Sequence, residues 1–189
     1  HPTVSGWLWA QTQEECFKNV LLAAELKSEH PLAGAIVASL KDEEKVVPAP
    51  LESFESITGK GIKVVYEGDL FWVGSHKLLK DFDAVVTDVM ADMLVQYESE
   101  GNGIIYFGRR NQLLAIIAVT DPVKSTSAEA VKELRRQGID ICMLTGDGQR
   151  TALAVAGKLG IDRFVADALP DDKEDFIREF QLQGKTVAM

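Results

Sequence analysis

The sequence has 189 residues, of which 46% are hydrophobic and 26% are charged, the balance of a folded protein with one large or two small domains. Its 29 acidic and 20 basic residues give a net charge of -9, which argues against a nonspecific binder of nucleic acid or of anionic membranes. The longest apolar run, around Leu113–Val119, is too short to cross a bilayer, and the N-terminus has no signal-peptide pattern. We therefore expect no direct insertion of this chain into a membrane.

Cysteine and histidine residues indicate neither a disulfide framework nor a metal site. Cys16 and Cys142 lie far apart in apolar, periodic surroundings, which fits a reduced, cytosolic environment. The three histidines, His1, His30 and His76, have no metal-ligand spacing to each other or to the cysteines. The spacing of serine, cysteine and histidine residues also predicts no catalytic triad.

The first part of the chain predicts a strand and a helical hairpin. Residues 1–10 alternate in polarity, which is typical of a short strand or an extended lead-in. Thr12 and Glu15 have capping-box spacing and begin a helix predicted over 13–27. A second amphipathic helix is predicted over 31–42, so the two helices form a hairpin.

Ser28–Leu32 joins the two predicted helices and is the first candidate for a binding site. Pro31 suits the first helical position, where a missing N–H costs nothing. Glu29 and His30 would then lie beside the exposed N–H groups at the helix start, where they could form part of a pocket for a polar ligand. The alternative is an ordinary helix start with a solvated histidine.

The pattern over 51–119 predicts an antiparallel sheet with helices packed on one face. A hairpin turn is predicted at Glu67-Gly68-Asp69, a short helix capped by Ser75, and a second turn at Gly101-Asn102-Gly103. The predicted strands are 54–57, 62–66, 70–73, 104–108 and 113–119, and the predicted helices are 75–79 and 85–97.

Gly59-Lys60-Gly61 lies between two of these extended stretches. Such glycines let a ligand or another backbone segment come close, and Lys60 adds a positive charge. The segment lacks the strand-to-helix setting of a dinucleotide fingerprint, which argues against a Rossmann cofactor. A simple β-turn is the alternative.

After Thr120 the pattern changes to alternating helices and strands, so we predict a boundary that divides the chain into domains over 1–119 and 120–189. The βα spacing of the second domain is typical of a parallel, doubly wound sheet. In order, the predicted elements are a helix opened by a Thr126–Glu129 capping box, a strand over 139–144, a helix ended by Gly160, a strand at 164–165, a helix over 170–183 and a cut-short strand over 185–189.

Thr145-Gly146-Asp147 follows a predicted strand and begins a helix, the position at which open α/β sheets place their ligands. A hydroxyl, a glycine and helix-start N–H groups together suit a phosphoryl group, and Asp147 could act through magnesium. A capped βα turn, with Asp147 as the N-cap, is the alternative.

Lys173 lies in the first turn of the last helix, where a cation is unfavourable unless it reaches an anion. The alternative is a solvated lysine.

In this order, the motifs resemble the cytosolic ATP-binding region of heavy-metal-transporting P-type ATPases, the copper-pump branch most of all, over nearly the whole chain. Ser28-Glu29-His30-Pro31-Leu32 is similar to the Ser-Glu-His-Pro nucleotide motif of that branch, and Gly59-Lys60-Gly61 to its Gly-x-Gly loop. Asp121-Pro122, Thr145-Gly146-Asp147 and Asp171-Asp172-Lys173 are similar to the Asp-Pro, Thr-Gly-Asp and Asp-Lys elements of its phosphorylation domain.

The resemblance implies an antiparallel-sheet nucleotide-binding domain joined to an incomplete, HAD-like (Rossmannoid) phosphorylation domain with a parallel sheet. It implies ATP and Mg²⁺ as cofactors of the parent protein, transmembrane and actuator domains as partners, and a place at the cytoplasmic face of a membrane. The implied adenosine-binding residues are Glu29, His30, Gly59, Lys60, Gly61 and Ser75. The implied residues around the phosphoryl-transfer site are Thr145, Gly146, Asp147 and Lys173.

Three departures qualify what the resemblance implies. The phosphorylated aspartate of the family, in an Asp-Lys-Thr-Gly-Thr motif, would precede His1, and the magnesium-binding Gly-Asp-Gly-x-Asn-Asp motif would follow Met189. Ser75 stands where the family commonly has asparagine. We therefore expect a fragment of an ATP-driven metal translocase that binds ATP but is catalytically incomplete, with a second domain whose sheet is deficient. A HAD-type phosphatase with a large cap domain and a regulatory nucleotide sensor are the alternatives.

Overall fold

A computed structural model of the chain describes residues 2–11, 17–43 and 45–188. The chain divides into two units, His1–Val123 and Lys124–Met189, which we call unit 1 and unit 2. The division falls shortly after Thr120, the position at which the pattern of the sequence changes.

Unit 1 is built from strands and helices in the order that the sequence predicts, with ends shifted by a few residues. The capping box at Thr12–Glu15 lies outside the described residues. The elements are β1 (Thr3–Trp9), α1 (Lys18–Glu25), α2 (Ala33–Lys41), β2 (Ser53–Ile57), β3 (Gly61–Tyr66), β4 (Asp69–Gly74), α3 (His76–Asp81), α4 (Asp88–Ser99), β5 (Gly103–Arg109) and β6 (Gln112–Thr120).

The strands of unit 1 form one antiparallel sheet in the order β1-β6-β5-β4-β3-β2. The turn between β3 and β4 has positive φ at Glu67 (50°) and Gly68 (73°), the conformation that matches the twist of a two-residue hairpin. The hairpin predicted at this point is therefore confirmed. Thr3 pairs with Thr120, so the chain enters and leaves the sheet on neighbouring strands.

Helices cover both faces of this sheet, so the prediction that they pack on one face is wrong. Phe71 and Val73 of β4 pack with α1 and α2, whereas Trp72 between them packs with α3 and α4. Neighbouring residues of a strand point to opposite faces, so the sheet has a hydrophobic core on each side. The strand β6 is buried from Leu113 to Val119, as a strand covered on both faces must be.

Unit 2 contains α5 (Ser127–Arg136), β7 (Met143–Leu144), α6 (Gln149–Leu159), β8 (Phe164–Val165) and α7 (Pro170–Leu182). The strands β7 and β8 pair in parallel, in agreement with the predicted sheet type. Gly160 ends α6 in the left-handed conformation at φ 67°, as the sequence predicts.

Three sequence predictions for unit 2 are wrong. The strand predicted over 139–144 forms only at 143–144, where β8 supplies hydrogen-bond partners, and 185–188 is not a strand. Thr126 precedes α5 with a helical backbone and without a side-chain capping bond, so the predicted capping box does not form.

Of the helices that the structure describes, none is both long and apolar enough to span a membrane.

Candidate functional site

The segment Ser28–Leu32 connects the end of α1 to the start of α2 and exposes Glu29 and His30 to solvent. The helix α2 begins at Ala33, after a turn at 31–32, so Pro31 is not at its first position as predicted. The His30 carbonyl accepts the Ala33 N–H at 3.0 Å, which closes this turn ahead of the helix.

Local acceptors take up backbone N–H groups that were predicted to face a ligand. His30 Nδ1 accepts the N–H of Leu32 at 3.2 Å, and the Leu32 carbonyl accepts the N–H of Ala35 at 3.1 Å. The start of α2 therefore offers a weaker anion site than predicted. Because Nδ1 is an acceptor, the neutral imidazole of His30 has its proton on Nε2.

Glu25, the last residue of α1, is a feature of this site that was not predicted from the sequence. Its side chain is only 5% exposed, and burial raises its pKa from 4.5 to about 7, although a hydrogen bond from the Ser28 hydroxyl acts in the opposite direction. Ser28 Oγ also accepts the N–H of His30 at 3.3 Å. The buried carboxyl is thus connected to the exposed motif through Ser28. The available signal was the helical period, because Glu25 stands four residues after the fully buried Leu21.

The loop Gly59-Lys60-Gly61 and Ser75, which the resemblance assigns to one ligand, lie together in the structure. The Lys60 carbonyl accepts the N–H of Ser75 at 2.8 Å and the Ser75 hydroxyl at 3.2 Å. Ser75 is the N-cap residue of α3, as predicted, but its side chain makes no capping hydrogen bond. The helix α1 packs against β3 and β4, which begin and end beside this loop.

Strand pairing already explains part of the glycine motif. Gly61 has φ 144°, and a Cβ there would lie 2.1 Å from the Val73 carbonyl oxygen; a Cβ at its partner Gly74 would lie 2.2 Å from the Lys60 carbonyl oxygen. The close approach of β3 and β4 therefore requires both glycines, with or without a ligand. The Lys60 ammonium pairs with Asp81 at 2.6 Å, so its charge is partly neutralised.

In unit 2, Thr145-Gly146-Asp147 forms a compact turn at the carboxyl end of β7. Thr145 Oγ1 donates to Asp147 Oδ2 at 2.6 Å and accepts the Asp147 N–H at 3.1 Å. The helix N-cap is Gly148, so Asp147 does not have the N-cap role of the alternative interpretation. A Cβ at Gly146 would meet Ala168 O at an ordinary 3.6 Å, so this fold does not itself require glycine there.

The turn is joined to the segment that follows β8. The Thr145 carbonyl accepts the N–H of Ala168 at 2.9 Å, and the Asp147 carbonyl accepts the N–H of Asp167 at 2.8 Å. The carboxylate of Asp172 accepts the N–H of Leu169 at 2.7 Å and so secures the start of α7.

Lys173 is half-buried in the first turn of α7 and follows this joined segment. Within the part of the chain that the structure describes, its ammonium has no ion-pair partner. The Thr145–Asp147 turn follows the carboxyl end of β7, and the segment before Lys173 follows the carboxyl end of β8. This is the edge at which parallel α/β sheets bind ligands. The described residues thus place Lys173 on the same side of the small sheet as Thr145 and Asp147.

A surface cleft of about 290 Å³ in unit 2 lies at the opposite ends of β7 and β8, lined by Arg135, Gly138, Ile139, Asp140, Ile141, Asp162 and Arg163. Its charges are largely matched, because Arg135 pairs with Asp162 at 2.6 Å and Asp140 with Lys185 at 3.3 Å. The cleft is therefore a poor candidate for a charged ligand.

Comparison with known proteins relates the whole chain to one family. A family model of the haloacid dehalogenase-like hydrolases matches residues 4–189. A copper-exporting P-type ATPase of Staphylococcus epidermidis is 41% identical over 170 residues, which cover 90% of this chain and 21% of that protein. A copper-exporting P-type ATPase of Staphylococcus aureus is 39% identical over 170 residues, which again cover 90% of this chain and 21% of that protein. The chain thus spans about a fifth of the length of the curated relatives it matches.

Solved structures agree with this relationship. The catalytic domain of the CPx-ATPase CopB-B matches with a TM-score of 0.75 over 97% of this chain and 62% of that chain; at 18% identity the match speaks for the fold alone. A zinc-transporting PIB-type ATPase in the E2.Pi state matches with a TM-score of 0.55 at 28% identity, over 96% of this chain and 29% of that chain.

Proposed function

Since this chain belongs to the haloacid dehalogenase-like hydrolase family, we propose that it is the ATP-binding cytosolic part of a heavy-metal-transporting P-type ATPase, with copper as the ion. The observation that carries the proposal is its 41% identity, over 90% of its length, to a copper-exporting P-type ATPase. Because that similarity extends over both units, it supports one ATP-driven enzyme more than a phosphatase with an unrelated cap.

Unit 1 is the nucleotide-binding domain in this proposal. Glu29 and His30 contact the adenosine part of ATP, and Glu25 supports them through Ser28. The loop Gly59-Lys60-Gly61, with Ser75 beside it, forms a second part of the same pocket. The exposed position of His30, with Nδ1 already occupied, supports a role for its Nε2–H as a donor to the nucleotide.

Unit 2 is part of the phosphorylation domain. Thr145, Gly146 and Asp147 surround the transferred phosphoryl group, and the Lys173 ammonium stabilises its negative charge. Among the described residues, there is no group of three or more His, Cys, Asp or Glu side chains that could hold a metal ion. We therefore assign no magnesium ligand to these residues.

In the parent protein, the hydrolysis of ATP proceeds through an aspartyl phosphate and drives a metal ion across a membrane. In this proposal the chain works together with the transmembrane and actuator domains of the parent protein and lies at the cytoplasmic face of the membrane. The nucleophilic aspartate is not among the 189 residues, so the chain alone binds ATP without turning it over.

The replacement His30→Ala tests the adenosine site. We expect the dissociation constant for ATP, measured by calorimetric titration of the 189-residue chain, to rise about tenfold, because one directed contact with the ligand is lost. The melting temperature should stay within about 2 °C, because His30 is exposed and contributes little to the core.

The matched control is His30→Asn. The asparagine side chain can still accept the N–H of Leu32 and preserve the turn, but it lacks the Nε2 donor, so it should lose affinity as alanine does. Unchanged ATP affinity in both variants would remove His30 from the site. No ATP binding by the unsubstituted chain, together with turnover of a simple phosphate monoester, would favour a phosphatase instead.

A further inference from the structure

Asn102 is a buried polar residue that the proposed nucleotide site does not use. Its side chain is 3% exposed, and its amide makes a hydrogen bond in each available direction. Oδ1 accepts the hydroxyl of Thr120 at 2.6 Å and shares the hydroxyl of Ser5, at 3.0 Å, with the Ala118 carbonyl oxygen at 3.2 Å. Nδ2 donates to the Tyr97 carbonyl at 3.0 Å and to the Glu100 carboxylate at 3.2 Å.

These bonds join elements that are distant in the sequence. Ser5 belongs to β1, on which the chain enters the sheet, and Thr120 ends β6, on which the chain leaves it. Tyr97 lies in the last turn of α4, and Glu100 is the C-cap residue of this helix. One amide therefore connects the first strand, the last strand and a helix of unit 1.

Two local features fit this arrangement. Ser5 is the extra residue of a β-bulge between Val4 and Gly6, and a bulge redirects the side chain of the extra residue. At Gly6 a Cβ would lie 2.2 Å from the Tyr97 hydroxyl oxygen, so the glycine lets the end of α4 lie against β1. The sequence places Asn102 in a turn, and the structure shows that its side chain is the centre of a buried network.

The strand β6 ends at Thr120. Residues 121–126 are all exposed, and they connect the sheet of unit 1 to α5 of unit 2. The last strand residue before this connection is Thr120, whose hydroxyl donates to Asn102 Oδ1.

We propose that Asn102 is a positioning residue that fixes the end of the unit 1 sheet at Thr120, so that the connection to α5 begins at Asp121 and does not extend into β6. The purpose of this arrangement rests on the proposed function. If unit 1 binds the nucleotide and unit 2 holds the phosphoryl site, the length of the connection sets the effective concentration of the nucleotide at that site. A short connection keeps this concentration high, and a longer one lowers it.

The test removes the strand contacts of Asn102 and leaves the asparagine in place. In a Ser5→Ala, Thr120→Val double variant, amide exchange at Val119 and Thr120 should become about tenfold faster, because the end of β6 opens locally. Nitrogen-15 relaxation of the 189-residue chain should show lower order parameters over 118–124 and a shorter apparent tumbling time for unit 2.

The control is Glu100→Ala, which removes a helix-side bond of Asn102 and the bond from Gln96 but neither strand contact, and it should leave the order parameters over 118–124 and the tumbling time of unit 2 unchanged. The proposal is overturned if the double variant is less stable than the original chain but has the same relaxation over 118–124 and the same tumbling of unit 2. ATP affinity is measured in parallel: failure of the original chain to bind ATP would contradict the proposed function, whereas the relaxation data would still decide the role of Asn102.

Discussion

Glu25 carries a carboxyl group whose charge depends on its burial at the end of α1. With 5% of its surface exposed, its pKa rises from 4.5 to about 7, even though Ser28 donates a hydrogen bond to it. Near neutral pH, the residue therefore changes between a neutral and a charged form. In the proposed site this change occurs next to His30, which is connected to Glu25 through Ser28.

The raised pKa of Glu25 predicts a pH dependence of stability. The folded protein binds this proton more tightly than the unfolded chain does, so the free energy of unfolding should fall by about 3 kcal/mol as pH rises from 4.5 to about 7. Glu25→Gln removes the titrating group, so the variant should lack this part of the pH dependence. Urea unfolding of both proteins at pH 5 and pH 8 measures the difference.

Glu29→Gln, at the exposed carboxyl of the same segment, is the control for Glu25→Gln. It should leave the difference in unfolding free energy between the two pH values as it is in the original chain. If Glu25→Gln also leaves that difference unchanged, burial does not raise the pKa of Glu25 as described.

At the scale of elements, two glycines with different surroundings separate structural from ligand-binding requirements. Gly61 begins β3 at φ 144°, against the backbone of β4, whereas Gly157 lies in α6 with no atom near the position of a Cβ. The first position needs glycine for strand pairing. The second has no such need, and a helix gains from alanine there.

We expect Gly61→Ala to lower the free energy of unfolding by about 3 kcal/mol or more, because an added Cβ meets the Val73 carbonyl oxygen and the backbone is strained. Gly157→Ala should raise the protection of α6 amides against exchange by about 0.5–1 kcal/mol. Denaturant unfolding and hydrogen exchange of the full chain measure the two effects. A neutral Gly61→Ala variant would contradict the close approach of β3 and β4.

The helices and strands of unit 1 follow from apolar spacing and turn residues, because each element carries its own periodic signal. Their arrangement does not follow as directly: the strand pattern predicts helices on one face, although the uninterrupted apolar run Leu113–Val119 is typical of a strand covered on both faces. The strand predicted over 139–144 is shorter in the structure because a strand needs a partner along its length, and β8 reaches only 143–144.

For the whole molecule, the sequence identifies the family through an ordered set of short motifs distributed over both units. The contacts that refine the candidate site could not be predicted in the same way. The burial of Glu25, the ion pair of Lys60 with Asp81 and the four bonds of Asn102 all depend on which segments meet in the folded chain. Motif order was therefore enough for the family, and tertiary contacts were needed for the roles of single residues.

The proposed roles of the two units predict where ATP should bind in the 189-residue chain. Unit 1 holds the proposed adenosine-binding residues, and unit 2 holds the turns proposed to surround the phosphoryl group. Because positioning and electrostatics account for most of the catalysis of phosphoryl transfer, such a division lets one domain bind the nucleotide and the other perform the chemistry.

Titration of the nitrogen-15-labelled chain with ATP, followed by amide chemical shifts, tests the central claim most directly. We predict saturable shifts that are largest at Ser28–Leu32, at Gly59-Lys60-Gly61 and at Ser75, all in unit 1. Saturable shifts confined to unit 2, or no saturable shift at millimolar ATP, would contradict the assignment of unit 1 as the nucleotide-binding domain.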